Sequence, residues 1–201
     1  MTSHTCIWTA AICLAASILV MPAAGEIVYT PVYVAIPVGG HYNIDIDGNG
    51  VTNFTLDSKL LQGWCQSGEE DEWTVSISPA SGNAIVITPG RAGASYASAL
   101  LHGVPVNSAQ SFYASASTMA EIYWGACGSG TLGSWLNLPG RYLGLQFQDA
   151  ANETHYGWAE VSTGAYIDQD GHLHSTTVLF GFAYETVPGQ AILTGQQAGA
   201  P

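Results

Sequence analysis

The chain has 201 residues, with fifteen acidic side chains against three basic ones and a formal charge of −12. Lys59, Arg91 and Arg141 cannot build the basic surface that nucleic acids and anionic membranes require, so the composition speaks against both as partners. The length fits one domain with a sizeable core.

Residues 7–21, I-W-T-A-A-I-C-L-A-A-S-I-L-V-M, form an apolar run of signal-peptide length, and Pro22-Ala23-Ala24-Gly25 offers small residues for cleavage before Glu26. The run is shorter than the about 20 residues a bilayer span needs, so it predicts a cleaved leader over 1–25 rather than an anchor. Cys13 follows Ala10-Ala11-Ile12, which is no lipobox. No second apolar span follows, so the mature chain is expected to lack a membrane span and to be secreted or held outside the cell.

From Glu26 onward the text is β-like. Alternating or β-branched runs occupy Ile27–Ile36, His41–Asp47, Val51–Leu56, Trp73–Ser78, Ala84–Thr88, Gln110–Ala116 and Met119–Trp124. Arg141–Gln148, Thr154–Val161, Gly164–Asp168, Leu173–Glu185 and a last short run at Ala191–Leu193 complete the set, with Gly, Pro, Asn and Asp clusters between. This pattern predicts an all-β fold, a single antiparallel β-sandwich of jelly-roll or lectin-like type over 26–195, with a flexible tail at 196–201. The small-residue stretch Ala92–Leu101 is expected to form one short helix. The acidic run Gly68-Glu69-Glu70-Asp71-Glu72 reads as a solvated loop.

One stretch names a chemistry. Asp45–Asn53 reads D-I-D-G-N-G-V-T-N. Ca²⁺ takes six to eight oxygen ligands, and a short loop supplies them when acidic or amide residues alternate. Asp45, Asp47 and Asn49 have that spacing, and Gly50 stands where the chain must turn sharply. The Val51 carbonyl and the Asn53 side chain complete the expected ligand set. Leu56 stands where an EF-hand has its bidentate Glu, and the flanks alternate as strands, so this is no EF-hand. The loop resembles the shorter calcium loops of β-propeller repeats, the FG-GAP type, D-x-D-x-N-G-x-x-D, with Asn53 in place of the final Asp. Losing that charge points to weak affinity, about 10⁻⁴–10⁻³ M. The plainer alternative is a β-turn, since Asp-Gly and Asn-Gly are hairpin signals without any metal. A bound ion would be structural, because no nucleophile or base adjoins it.

Cys6 and Cys13 leave with the leader. Cys65 and Cys127 remain, an even pair in an oxidising compartment, in the Gly-rich segments G-W-C-Q-S-G and G-A-C-G-S-G. Neither has a C-x-x-C partner or nearby His, so a disulfide is expected, worth roughly 4 kcal/mol in the chain-entropy description.

Three segments, R-Y-L-G-L-Q-F from Arg141, T-H-Y-G-W-A-E-V from Thr154 and F-G-F-A-Y-E-T-V-P-G-Q-A-I-L from Phe180, together resemble a group of exported bacterial proteins, many of which carry a PEP-CTERM sorting helix. Members of that group tend to open with a D-x-D-G-x-G segment. The resemblance implies an extracellular β-sandwich and supplies no catalytic residues. Gly195–Pro201 contains no sorting helix, which puts surface retention in doubt.

Other candidates carry less. Glu160 and Glu185 are the carboxylates a glycosidase would need, but both sit in apolar strands, where alternation places them on a solvated face. His172-x-His174, with His155 as third ligand, has a zinc flavour without any fixed spacing, and surface histidines are the simpler reading. No G-x-S-x-G elbow or Walker loop is present. Trp64, Trp73, Trp124, Trp135 and Trp158 serve either the core or a sugar-stacking face. The expected role is structural or adhesive. A carbohydrate-binding module with a glycan or surface partner comes second and a glycoside-active enzyme third.

Overall fold

The structure, a computed structural model, describes residues 25–90 and 94–198. The expected leader, with Cys6 and Cys13, lies outside the described residues except for Gly25. In chain order the strands are β1 (Ile27–Ala35), β2 (His41–Ile44), β3 (Phe54–Cys65), β4 (Gly68–Pro79), β5 (Ala84–Pro89), β6 (Ser95–Ala97) and β7 (Pro105–Val106). They continue as β8 (Phe112–Tyr113), β9 (Ser117–Gly125), β10 (Gly128–Gly133), β11 (Leu138–Gln148), β12 (Thr154–Ile167), β13 (Leu173–Glu185) and β14 (Ile192–Leu193). No helix occurs among the described residues.

Two antiparallel sheets pack face to face as a sandwich. One has the order β1-β13-β12-β11-β5-β6, with β8 also on β5; the other has the order β10-β9-β4-β3-β2. Tight turns make this possible, since two-residue connections join only antiparallel neighbours. Gln66-Ser67 turns β3 into β4, and Ala126-Cys127 turns β9 into β10.

The core follows from strand alternation. Phe54 and Leu56 on β3, Trp73, Val75 and Ile77 on β4 and Met119 on β9 meet Leu143, Leu145 and Phe147 on β11 and Val161 on β12. Each of these is fully buried, which stabilises the fold by about 1.5–3 kcal/mol per large side chain. Trp135 also lies inside, and its indole N–H donates to the Ala97 carbonyl at 2.8 Å, so its polar atom enters the core satisfied.

A second apolar cluster forms on the outer face of the first sheet. Tyr142, Tyr156 and Trp158 are covered there by Val106 and Ile192 of the β7–β14 ribbon. Trp158 packs edge-on to Tyr142 and donates its indole N–H to the Gln196 carbonyl at 3.1 Å. Burial on both faces explains why β11 and β12 read as nearly continuous apolar text. Gly144 belongs to this crowding, because a Cβ there would stand 2.5 Å from Val86 Cγ2.

Several expectations are corrected. The helix expected over Ala92–Leu101 is absent from the described part of that stretch. Ser95–Ala97 pairs with β5, and Leu100 bridges to Tyr142, because the open sheet edge offers ladder hydrogen bonds. The acidic run is strand, not loop. Glu69–Glu72 pair with Leu61–Trp64 on one side, and β9 runs along the other, so cross-strand pairing overrides the low β-propensity of the acids. Thr154–Val161 and Gly164–Ile167 are one strand, whose register against β13 shifts between Glu160 and Val161, Asp168 begins the following turn, and β10 was not among the expected strands.

Cys65 and Cys127 are bridged, with their Cα atoms 6.2 Å apart. The bond ties the end of β3 to the β9–β10 turn and so joins the tips of two hairpins across β4.

Candidate cation site

The connection from β2 to β3 is the Asp45–Asn53 loop. Ile46, 2 % exposed, roots it in the core. Asp45 organises the turn, with Oδ1 accepting the Asn49 amide at 3.1 Å and Oδ2 the Gly50 amide at 2.7 Å. Gly48 and Gly50 take φ values of 70° and 86°, the left-handed region that glycine enters without strain. Asn49 Oδ1 accepts the Val51 amide at 2.7 Å, and its Nδ2 donates to Asp47 Oδ2 at 2.8 Å.

The Asp45, Asp47 and Asn49 side chains therefore lie together. Asp47 Oδ1 is buried and has no hydrogen-bond partner. Burial, and then the adjoining Asp45 carboxyl, push the Asp47 pKa above the ordinary value. Val51 is exposed. Asn53 is turned to the backbone: its Oδ1 accepts the buried Ile46 amide at 2.8 Å, and its carbonyl accepts the Ala80 amide and the Asn83 side chain.

The β11–β12 turn comes up beside this loop. Asp149 Oδ1 accepts the amides of Ala151 at 2.9 Å and Glu153 at 2.8 Å, and Asn152 takes the left-handed φ of 60° that the tight connection requires. These amides, that of Glu153 foremost, hold the Asp149 carboxyl below its ordinary pKa. His155 begins β12 inside the sandwich. Its ring stacks on Phe147 and meets Tyr184 edge-on, and its Nδ1 bonds the Glu185 carbonyl at 2.9 Å.

A cavity of about 320 Å³ lies between the two loops, with Asp47 and Asn49 lining it from one sheet and Asp149 and His155 from the other. Asp149, Glu153 and His155 bring their ligand atoms within 4.8 Å of one another, a grouping able to hold a metal ion. Asp149, in the turn cluster Asp149–Asn152, and Glu153, between that cluster and the next strand, were not among the residues expected to bind metal. The D-x₃-E-x-H spacing leading into a strand was the available signal.

A second grouping of Asp168, Asp170 and His172 occupies the β12–β13 turn. Asp168 is held at a pKa of about 2, chiefly by the His174 ring, whose Nε2 lies 2.9 Å from its Oδ2, and then by the His172 amide. His155 cannot join His172 and His174. Its strand neighbour Tyr166, opposite His174, is eleven residues further along β12 (155 to 166), roughly 36 Å at strand rise.

Glu160 and Glu185 form no carboxylate pair. Glu160 is opposite Gly181, four residues or roughly 13 Å along β13 from Glu185, well beyond the spacing that glycoside hydrolysis uses. Glu185 is not on a solvated face as the alternation implied. It is 2 % exposed, and its carboxylate accepts the Val187 amide and the Gln190 side chain, which makes it a staple for the β13–β14 turn.

Among the tryptophans, Trp73, Trp135 and Trp158 are core, whereas Trp64 is 79 % exposed near the β3–β4 tip. It borders a recess of about 170 Å³ with Gln62, Glu69 and Asp71. Among the described residues no helix is long and apolar enough to cross a membrane. Comparison with protein-family models, curated proteins and solved structures gives no match.

Proposed function

We propose that the protein works outside the cytoplasm as a disulfide-pinned, calcium-stabilised β-sandwich with a structural or adhesive role. The observation that carries this reading is the buried Asp47 Oδ1, without a partner and next to the Asp45 carboxyl. Two adjoining carboxylates with an unsatisfied oxygen are unfavourable alone, and a hard cation removes both the repulsion and the missing contact. The two carboxylates offer oxygen donors, which suits Ca²⁺. No nucleophile adjoins them, so the ion would order the β2–β3 connection rather than perform chemistry. Export is supported by the apolar leader-like run and by a disulfide, which persists in oxidising compartments.

Thermal melting in millimolar Ca²⁺ and in chelator tests this, since a ligand bound only to the native state raises the midpoint. Equal midpoints would remove calcium from the account. A second reading, glycan binding, is favoured by the exposed Trp64 beside the polar groups of Gln62, Glu69 and Asp71. A glycan array probed with the wild type and Trp64→Ala tests it: signals lost in the variant support sugar stacking, and a blank array removes it.

A further inference from the structure

We infer that a second divalent cation, of the zinc class, binds at the edge of the cavity between the two loops, on His155 Nε2 and Asp149 Oδ2, which line it, and on the exposed Glu153 carboxylate beside them, separate from the calcium loop. The argument starts from the histidine tautomer. The Glu185 carbonyl oxygen is an acceptor only, so the His155 Nδ1 at 2.9 Å carries the hydrogen and donates it. Nε2 of the neutral ring therefore presents a lone pair. In this tautomer that nitrogen has no hydrogen to donate, although the side chain is only 6 % exposed. It faces Asp149 Oδ2, another lone-pair donor, at 3.5 Å. Neither partner can turn away. Phe147 and Tyr184 clamp the ring, and the Ala151 and Glu153 amides occupy the other Asp149 oxygen.

A metal between them satisfies both. Zinc bonds of about 2.1 Å to nitrogen and oxygen give a tetrahedral edge of about 3.4 Å, close to the observed separation. A histidine whose Nδ1 donates to a backbone carbonyl while Nε2 points at a carboxylate is already oriented as a metal ligand. Glu153 supplies the third donor within 4.8 Å, and the cavity leaves room for water as the fourth. The imidazole nitrogen selects for a zinc-class ion over calcium, which prefers oxygen. The Asp168–His172 grouping lacks this character: its histidine is 76 % exposed, and Asp168 is satisfied by its own turn and by His174.

The rival occupant of Nε2 is a proton, which would make His155 and Asp149 an ion pair. The experiment uses the mature protein with ¹⁵N-labelled histidine in a His172→Asn background, so that the exposed grouping does not contribute. It measures melting with ZnCl₂ and the His155 Nε2 resonance with and without zinc. Asp149→Asn combined with Glu153→Gln removes two charged ligands while leaving an oxygen to accept the turn amides. Asp45→Asn disables the calcium loop alone. Zinc at about a hundredfold excess over Kd is expected to raise the midpoint by about 5–10 °C in the background protein and in Asp45→Asn. It should also shift Nε2, and the double variant should lose at least about tenfold in affinity, the lower end of the loss expected when a metal site is disturbed. No zinc response, an undiminished response in the double variant, or a protonated Nε2 that zinc leaves unmoved would each overturn the site. Loss of the calcium response in Asp45→Asn bears only on the calcium loop.

Discussion

Replacing Asp47 by Asn should make the protein more stable without metal and less stable with it. In chelator, Asp47 carries a charge beside Asp45 and a buried oxygen with no partner. An amide in its place removes one charge and can donate to Asp45, while its oxygen still accepts from Asn49. A hydrogen bond to a charged group contributes about 1.5–3 kcal/mol, and partial exposure of the loop cuts that to about 1 kcal/mol. For a domain of this size the midpoint should rise by about 2–4 °C. With about 10 mM Ca²⁺ and Kd of about 10⁻³–10⁻⁴ M, the wild type gains about 1.4–2.7 kcal/mol and overtakes the variant, which gains little. The sign with pH is fixed as well. The folded pKa of Asp47 lies above 3.8, so the metal-free native state binds more protons than the unfolded chain. Its stability is therefore eroded as pH rises from about 3.8 through the raised value, an erosion the variant lacks. Scanning calorimetry of both proteins in EDTA and in CaCl₂ reads the crossing directly. A variant that is weaker under both conditions, or one that keeps the full calcium response, would refute the reasoning.

Cys65→Ser with Cys127→Ser should cost up to about 4 kcal/mol in urea unfolding, from the 62-residue separation that the bridge closes; a loss below about 1 kcal/mol would show that the hairpin tips are already constrained without it. Gly144→Ala, whose Cβ would stand 2.5 Å from Val86 Cγ2, should destabilise by about 1–3 kcal/mol in the same assay, whereas a neutral result would mean that β5 and β11 separate freely. Asp149 and Asp168 have folded pKa values below 3.8, so the stability they contribute is present above about pH 4 and is lost as pH falls, through about 2 in the case of Asp168. Asp168→Asn should flatten this acid limb in urea midpoints taken between pH 2 and 5, and an unchanged limb would count against the Asp168–His174 contact.

The fold class was legible because most strands bury one face, and alternation in Phe54–Leu56, Trp73–Ile77 and Leu143–Phe147 reports it directly. The misses have a common cause in long-range pairing. Nothing local in G-S-G-T-L-G marks β10, since its partner β9 supplies the ladder. The acids Glu69–Glu72 became strand because β3 and β9 flank them. The interruption expected between Val161 and Gly164 is absent, because Ser162, Thr163 and Gly164 pair in register with Val178, Thr177 and Thr176. At the site, the Asp45–Asn49 cluster was readable because its residues are neighbours in sequence. The approach of Asp149 and His155 to that loop was not, because it depends on how the two sheets meet at their ends. His155 was noticed but grouped with His172 and His174, from which the length of β12 separates it.

The bridge between the two hairpin tips also bears on Trp64. The ladder between β4 and β9 already joins the tips as far as Glu70 and Gly125, and strand ends held by hydrogen bonds alone still fray. Covalent joining makes the pair behave as a single plank, with the indole held out beside it. A ligand docking there would meet a surface whose backbone is already fixed, so little disorder would be left to surrender on contact.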